Sequence, residues 1–296
     1  MRFPFLTPAA AGVTMTIFID SWQSSAGVKY TTMKTITSKE NPAFKAARKL
    51  VGSARERRKA GKTLLDGIHL VAAFCQADGL PEAIMVAASA QGNAEIRDFL
   101  ERVQPANLVV LADELFREIS TVDTPTGIAA LIPIPLPQEA EEGCCVLLED
   151  IQDPGNLGSI LRSAAASGIR RIYLSTGCAD AWSPKALRAG MGAHFHLSIH
   201  ESSDLVKTAQ YFPGQIVAMV LNTEKKLFDL DLSGPTAFII GNEGAGISTQ
   251  LLKCTDSIVT IPMPGAAESL NAAAAAAICF FERVRQVSAK KPPLIP

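Results

Sequence analysis

The chain has 296 residues, with 28 basic and 29 acidic side chains, and is 48% apolar, 19% charged and 6% aromatic. That length suffices for one large or two ordinary domains with real cores, and the apolar content excludes a disordered chain. No run approaches about 20 uninterrupted apolar residues, so no membrane span is expected, and a net charge of −1 leaves any nucleic-acid affinity to a local patch.

Residues 1–33 carry only Arg2, Asp20 and Lys29 as charges and are interrupted by Pro4, Pro8 and Gly12. A leader peptide would have only Arg2 as its basic region and Ala9–Ala11 as its small residues. A disordered extension, with Met33 opening the functional chain, is the better reading. From residue 41 the pattern becomes regular. Asn41-Pro42 places a capping side chain before proline at the first helical position, and Phe44, Ala47, Leu50 and Val51 share one face of the helix that follows. Nine basic residues crowd positions 39–62 against two acidic ones, Glu40 and Glu56.

Short apolar runs at Thr63–Leu65, Ala83–Ala87, Leu108–Leu111 and Gly127–Ile134 read as strands. Helical stretches at Ile68–Ala77, Ala94–Val103 and Asp113–Ser120, the last capped by Asp113, alternate with them. This predicts a small α/β/α unit over 35–133. Pro133, Pro135 and Pro137, followed by Glu139, Glu141 and Glu142, form a stiff linker over 134–143.

A second unit, 144–288 with a tail at 289–296, repeats the alternation. Strands are expected at Cys144–Leu148, Arg171–Ser175, Phe195–Ile199, Ile216–Leu221, Ala237–Ile240 and Ile258–Ile261. Helices are expected at Leu157–Ser167, Pro184–Ala189, Leu205–Tyr211, Thr249–Lys253 and Leu270–Gln286. The result is a mostly parallel sheet covered on both faces, with ligands at the carboxyl ends of its strands. Six cysteines (75, 144, 145, 178, 254 and 279) include no CxxC pair and no Cys/His ligand spacing, so they read as reduced, mostly buried thiols of a cytosolic protein. His69, His194, His196 and His200 show no metal spacing either and read as structural.

Three loops at strand ends stand out. Glu149–Arg162 runs from a strand through Pro154-Gly155 into a helix that begins near Asn156. Taken alone it is a capped turn with a surface arginine. Gly241-Asn242-Glu243-Gly244-Ala245-Gly246 follows another strand, where glycines admit a ligand to the backbone. It lacks the dinucleotide fingerprint and the phosphate-loop lysine, while Gly190-Met191-Gly192 reads as a helix stop. Ile261-Pro262-Met263-Pro264-Gly265 leads to Glu268-Ser269-Leu270-Asn271 and six alanines, a helix suited to close packing, with Ser269 as its cap and Asn271 as a buried amide in need of partners.

Together these loops resemble the three motifs of the SpoU (TrmH-like) branch of the SPOUT methyltransferases. The first is Asp153–Arg162, the second Gly241–Gly246, and the third Ile261-Pro262-Met263 continuing to Ser269-Leu270-Asn271-Ala272. Alanines follow Asn271 where the family often has a branched or hydroxyl residue. Residues 35–133, through Leu65-Asp66-Gly67-Ile68-His69-Leu70-Val71, look more loosely like the L30e-like RNA-binding domain that often precedes this catalytic domain.

The resemblance implies a deep trefoil knot in the second unit, S-adenosylmethionine as cofactor, no metal, and methylation of a ribose 2′-hydroxyl in RNA, ribosomal more than transfer RNA. By position, Gly241, Ile261, Leu270, Leu221 and Met263 match cofactor-contacting residues, and Arg162, Asn156, Glu243, Ser269 and Asn271 match the catalytic set. It also implies a homodimer, for which Ile278–Phe281 and Val284 offer either a surface or intrachain core. Ahead of such a domain, Arg55, Arg57, Arg58 and Lys59 are expected to contact RNA phosphates. A catalytically silent RNA-binding or ribosome-assembly protein is the alternative from another class. A dehydrogenase ranks last.

Overall fold

Asn41 starts the first helix as the sequence predicts, its side chain accepting the Ala43 N–H at 2.9 Å ahead of Pro42. The computed structural model describes residues 32–77, 79–138, 143–221 and 223–290. These form two compact units that divide between Ile134 and Pro135, residues 182–184 grouping with the first. Most of the extension read over 1–33, the acidic part of the linker and the last six residues of the tail lie outside the described residues.

The first unit contains β1 (Thr32–Ile36), α1 (Pro42–Gly52), α2 (Ala54–Ala60), β2 (Lys62–Asp66), α3 (Ile68–Ala77), β3 (Ala83–Ala87), α4 (Ala94–Val103), β4 (Asn107–Leu111), α5 (Asp113–Ile119) and β5 (Ile128–Pro133). Its sheet order is β1-β4-β3-β5-β2, with β5 antiparallel to both neighbours. Strand β1 is a correction: it begins inside the segment read as extension, because its pairing with β4 rather than any period of its own holds it. Asp113 is not the cap of α5. Ala112 occupies that position, and Asp113 Oδ1 instead accepts the Ser89 N–H and hydroxyl, both at 2.9 Å.

The second unit contains β6 (Cys145–Leu148), α6 (Pro154–Ala166), β7 (Arg171–Leu174), α7 (Pro184–Gly190), β8 (Ser198–His200), α8 (Leu205–Gln210), β9 (Gln215–Met219), β10 (Thr236–Ile240), α9 (Thr249–Leu252), β11 (Ser257–Val259) and α10 (Ala272–Lys290). The strand expected at Phe195–Ile199 is a 3-10 turn over Ala193–His196 followed by β8. That turn buries His194, which bonds the Ala181 carbonyl at 2.9 Å, and burial pushes its pKa down to about 4. Gly190 ends α7 and leaves the room the imidazole occupies, since a Cβ there would lie 2.4 Å from His194 Cε1.

The six strands are all parallel, in the order β11-β9-β10-β6-β7-β8. Winding runs outward from β6 through β7 to β8, then restarts on the other side of β6 with β9 and β10. The junction of β6 and β10 is therefore the point where strand order reverses, and the carboxyl ends at such a junction are where sheets of this kind bind ligands. From edge strand β11 the chain returns across the sheet to pack α10 on α6. Ala272, Ala276, Cys279 and Phe280 are buried, and Phe280 meets Phe238 of β10 edge to face at 5.6 Å. Only Cys145 and Cys279 of the six thiols are buried, a correction to the expectation that most are. Among the described residues no helix is long and apolar enough to cross a membrane.

Candidate active site

The first two motif loops leave adjacent strands at the reversal point: the Glu149 N–H donates to the carbonyl of Ile240 at 3.0 Å, carrying the β6–β10 pairing one residue into the loops. Helix α6 starts three residues earlier than expected. Pro154 fills its first position, and Asp153 caps it by accepting the Asn156 N–H at 2.9 Å. Lys185 Nζ donates to the other oxygen of Asp153 at 2.7 Å, and this bond, with the Asn156 N–H, holds the carboxyl below the usual range. Asn156 thus stands inside the first turn, with a fixed backbone.

In the second loop Gly241 answers a close approach, because a Cβ there would fall 2.4 Å from the Gly246 carbonyl oxygen. Asn242 and Gly246 exchange backbone hydrogen bonds of 3.0 Å, and Gly246 takes φ +73°. Asn242, which sequence reasoning passed over, builds the turn: its Oδ1 accepts the N–H groups of Gly244 at 2.8 Å and Ala245 at 2.9 Å. Its Nδ2 donates to the Asp150 carbonyl at 2.8 Å, and Glu149 Oε2 accepts the Ser248 N–H at 2.7 Å. Both bonds tie the second loop to the first.

The third loop joins them through Asn271. This residue, not Ser269, caps α10, its Oδ1 accepting the Ala273 N–H at 2.9 Å and the Ala274 N–H at 3.3 Å. It is exposed rather than buried. Its Nδ2 donates to Asn156 Oδ1 at 2.9 Å, and Asn156 Nδ2 donates to Glu243 Oε1 at 2.6 Å. Asn156, Glu243 and Asn271 therefore form one directed polar chain across all three motifs, ending on the amino terminus of a 19-residue helix.

Arg162 lies on the exposed side of α6, six residues beyond Asn156, and makes no ion pair among the described residues. Ser269 is exposed at the mouth of the third loop, outside the polar chain. Leu221 and Leu270 are 50% and 37% exposed, while Ile261 and Met263 are half-buried. Leu221, Gly241 and Ile261 follow β9, β10 and β11, so they share one end of the sheet. The structure gives Arg57 a different task from phosphate contact: it is 4% exposed and its guanidinium bonds the carbonyls of Leu50 and Val51 at the end of α1, the latter at 3.1 Å. Arg55, Arg58 and Lys59 are exposed on α2. Among the described residues no three His, Cys, Asp or Glu side chains are grouped to hold a metal ion.

The model of the SpoU rRNA methylase family matches residues 143–281, and that of the MRM3-like substrate-binding domain matches 41–130. An uncharacterised tRNA/rRNA methyltransferase of Synechocystis is 34% identical over 268 residues, covering 88% of this chain and 96% of that one. The chain belongs to the SpoU rRNA methylase family. As a member it is an RNA methyltransferase. The 23S rRNA (guanosine(2553)-2′-O)-methyltransferase RlmP of Bacillus subtilis is 32% identical to this SpoU enzyme, covering 84% of it and 98% of RlmP. Among solved structures, the SpoU methyltransferase AviRb of Streptomyces viridochromogenes in complex with the cofactor AdoMet superposes with a TM-score of 0.77 at 27% identity, covering 85% of this chain and all of AviRb.

The residues present suit that cofactor. An adenosyl and methionyl group needs apolar walls and reachable backbone. Leu221, two residues past β9, and Leu270, ahead of α10, are 50% and 37% exposed and present aliphatic surface to solvent, and Gly241, directly after β10, adds no side chain of its own.

Proposed function

We propose that this SpoU-family enzyme transfers a methyl group from S-adenosylmethionine to a ribose 2′-hydroxyl of ribosomal RNA. The observation that carries the reading is the Asn271–Asn156–Glu243 chain, which joins one residue from each of the three motifs in a single polar frame. The names of RlmP and of a uridine-specific 23S rRNA 2′-O-methyltransferase of Streptomyces viridochromogenes, 30% identical, support the choice of substrate.

When bound, the cofactor supplies an electrophilic methyl that needs no metal for transfer. Gly241, Ile261 and Leu270, with Leu221 and Met263, hold it. A ribose hydroxyl is a poor nucleophile until its proton leaves, so the protein contributes alignment and charge stabilisation, while the proton passes to the neighbouring phosphate and on to solvent water as the oxygen–methyl bond forms and the sulfur–methyl bond breaks. Arg162, a permanent cation, grips the 2′-oxygen and neighbouring phosphate and stabilises the oxygen's developing negative charge. Asn156 and Glu243 fix the ground on which Arg162 stands, and Ser269 and Asn271 line the entrance.

In the first unit, Arg55, Arg58 and Lys59 contribute salt-dependent phosphate contacts. The passage of the chain from β11 back to α10 on α6 supports a trefoil knot in the segment after β9. Phe281, 47% exposed on α10 while Cys279 and Phe280 are core, supports a homodimer through that helix. We place the enzyme in the cytoplasm, with its RNA. Mapping 2′-O-methylated nucleotides in RNA from cells with and without the gene tests the reading. One ribosomal site is lost if it holds. Loss from transfer RNA alone, or from neither, contradicts it.

A further inference from the structure

The polar frame has an anchor outside the three motifs. Asp150, two residues past β6, adopts φ +55°, a left-handed conformation uncommon for a residue with a side chain. One hydroxyl secures it from both ends: the Asp150 N–H donates to Ser175 Oγ at 2.9 Å, and Ser175 Oγ donates to Asp150 Oδ1 at 2.6 Å. Gly177 makes the room, since a Cβ there would lie 2.2 Å from that carboxylate oxygen. Held in this way, Asp150 presents its carbonyl to Asn242 Nδ2 at 2.8 Å. Asn242 in turn shapes the turn whose next residue, Glu243, accepts from Asn156.

We propose that Asp150 is a positioning residue for methyl transfer: locked by Ser175 over Gly177, its carboxylate fixes the left-handed peptide whose carbonyl orients Asn242, and through Asn242 sets Glu243 against Asn156. The proposal rests on the methyltransferase reading for its kinetic part only. The Asp150 carboxylate acts on the backbone, so a residue that merely tolerates the conformation does not replace it.

The full-length protein with Asp150→Gly separates the two roles. Glycine accepts φ +55° freely and keeps the backbone N–H bonded to Ser175, so melting temperature is retained, while the carboxylate bond from Ser175 is lost. The expected result is a fall of about tenfold in kcat with the KM for RNA little changed, and faster hydrogen exchange at the Gly244 and Ala245 amides. Asp150→Asn, which favours the left-handed region and can still accept from Ser175, recovers most of both. In the double variant Asp150→Gly/Asn242→Ala, kcat is no lower than in Asn242→Ala alone, because one residue acts through the other. Parent-like kcat and exchange in Asp150→Gly, equal losses in the Gly and Asn variants, or additive losses in the double variant each overturn the proposal. A parent protein that methylates no RNA overturns the functional reading instead, and the exchange measurement still decides the role of Asp150.

Discussion

The two units spend their polar side chains differently. In the first, Asn41, Ser53 and Asn93 finish the starts of α1, α2 and α4 by accepting N–H groups two or three residues away, and buried Arg57 closes the end of α1. In the second, Asn156, Asn242, Ser248 and Asn271 make bonds that span 87 to 115 residues and meet at the exposed end of a parallel sheet. Caps within an element stabilise that element. Long-range polar bonds at the end of the sheet hold a geometry that packing alone does not supply, which supports the second region as the place of the proposed chemistry.

The sharpest way to break that contrast is Arg162→Ala. An exposed residue with no ion pair among the described residues should cost little stability, yet methyl transfer is expected to fall by at least about 10²-fold, with cofactor binding by calorimetry retained. Near-normal turnover would remove Arg162 from the mechanism.

Asn271 tests whether capping and catalysis part company at one residue. Asn271→Ala loses the cap, about 1 kcal/mol, together with the bond to Asn156. Asn271→Ser can keep the cap, but its shorter side chain cannot donate to Asn156. Denaturant melts should therefore separate the two variants while methyl transfer drops in both, more weakly than in Arg162→Ala. Full activity in the serine variant would show that the polar chain is dispensable.

Within the basic run, Arg57→Ala should destabilise the first unit by about 1–3 kcal/mol, the cost of leaving buried carbonyls without their donor. Neutralising Arg55, Arg58 and Lys59 should leave stability alone, weaken RNA binding and flatten its salt dependence. A reversed pattern would exchange the roles assigned here.

The last effect is electrostatic and structural and bears on stability rather than on methyl transfer. His194 is held neutral by burial, with its pKa lowered to about 4 from an unfolded value near 6.5. A base whose folded pKa is depressed binds fewer protons when folded. Its contribution is thus present above pH ~6.5 and lost as pH falls toward 4. Thermal melts of the parent should decline across that window more steeply than those of His194→Gln. Parallel declines would assign the acid sensitivity elsewhere.

Much of this was legible in sequence because it is written in local signals. Asn41-Pro42, the alternation of apolar runs with helical periods, and the glycines after β10 each act within a few residues, so α1, β3, α3 and α4 fall where the pattern puts them. The motif residues were legible only as a constellation, through their resemblance to a family. What stayed hidden depends on distant partners. Edge strand β1 exists through its pairing with β4, Asn271 rather than Ser269 caps α10, and Arg57 turns inward within a run of solvent-facing cations. Asp150, Ser175 and Asn242 carry no periodic signature. Their significance lies in a left-handed backbone and in bonds spanning 25 and 92 residues.

The account is tested most directly by incubating the purified chain and its Arg162→Ala variant with S-adenosylmethionine and unmodified ribosomal RNA, then identifying the methylated nucleoside by mass spectrometry. The account predicts a single 2′-O-methylated ribose from the parent and none from the variant, although both bind the donor. A methyl group on a base, or equal yields from the two proteins, would contradict it.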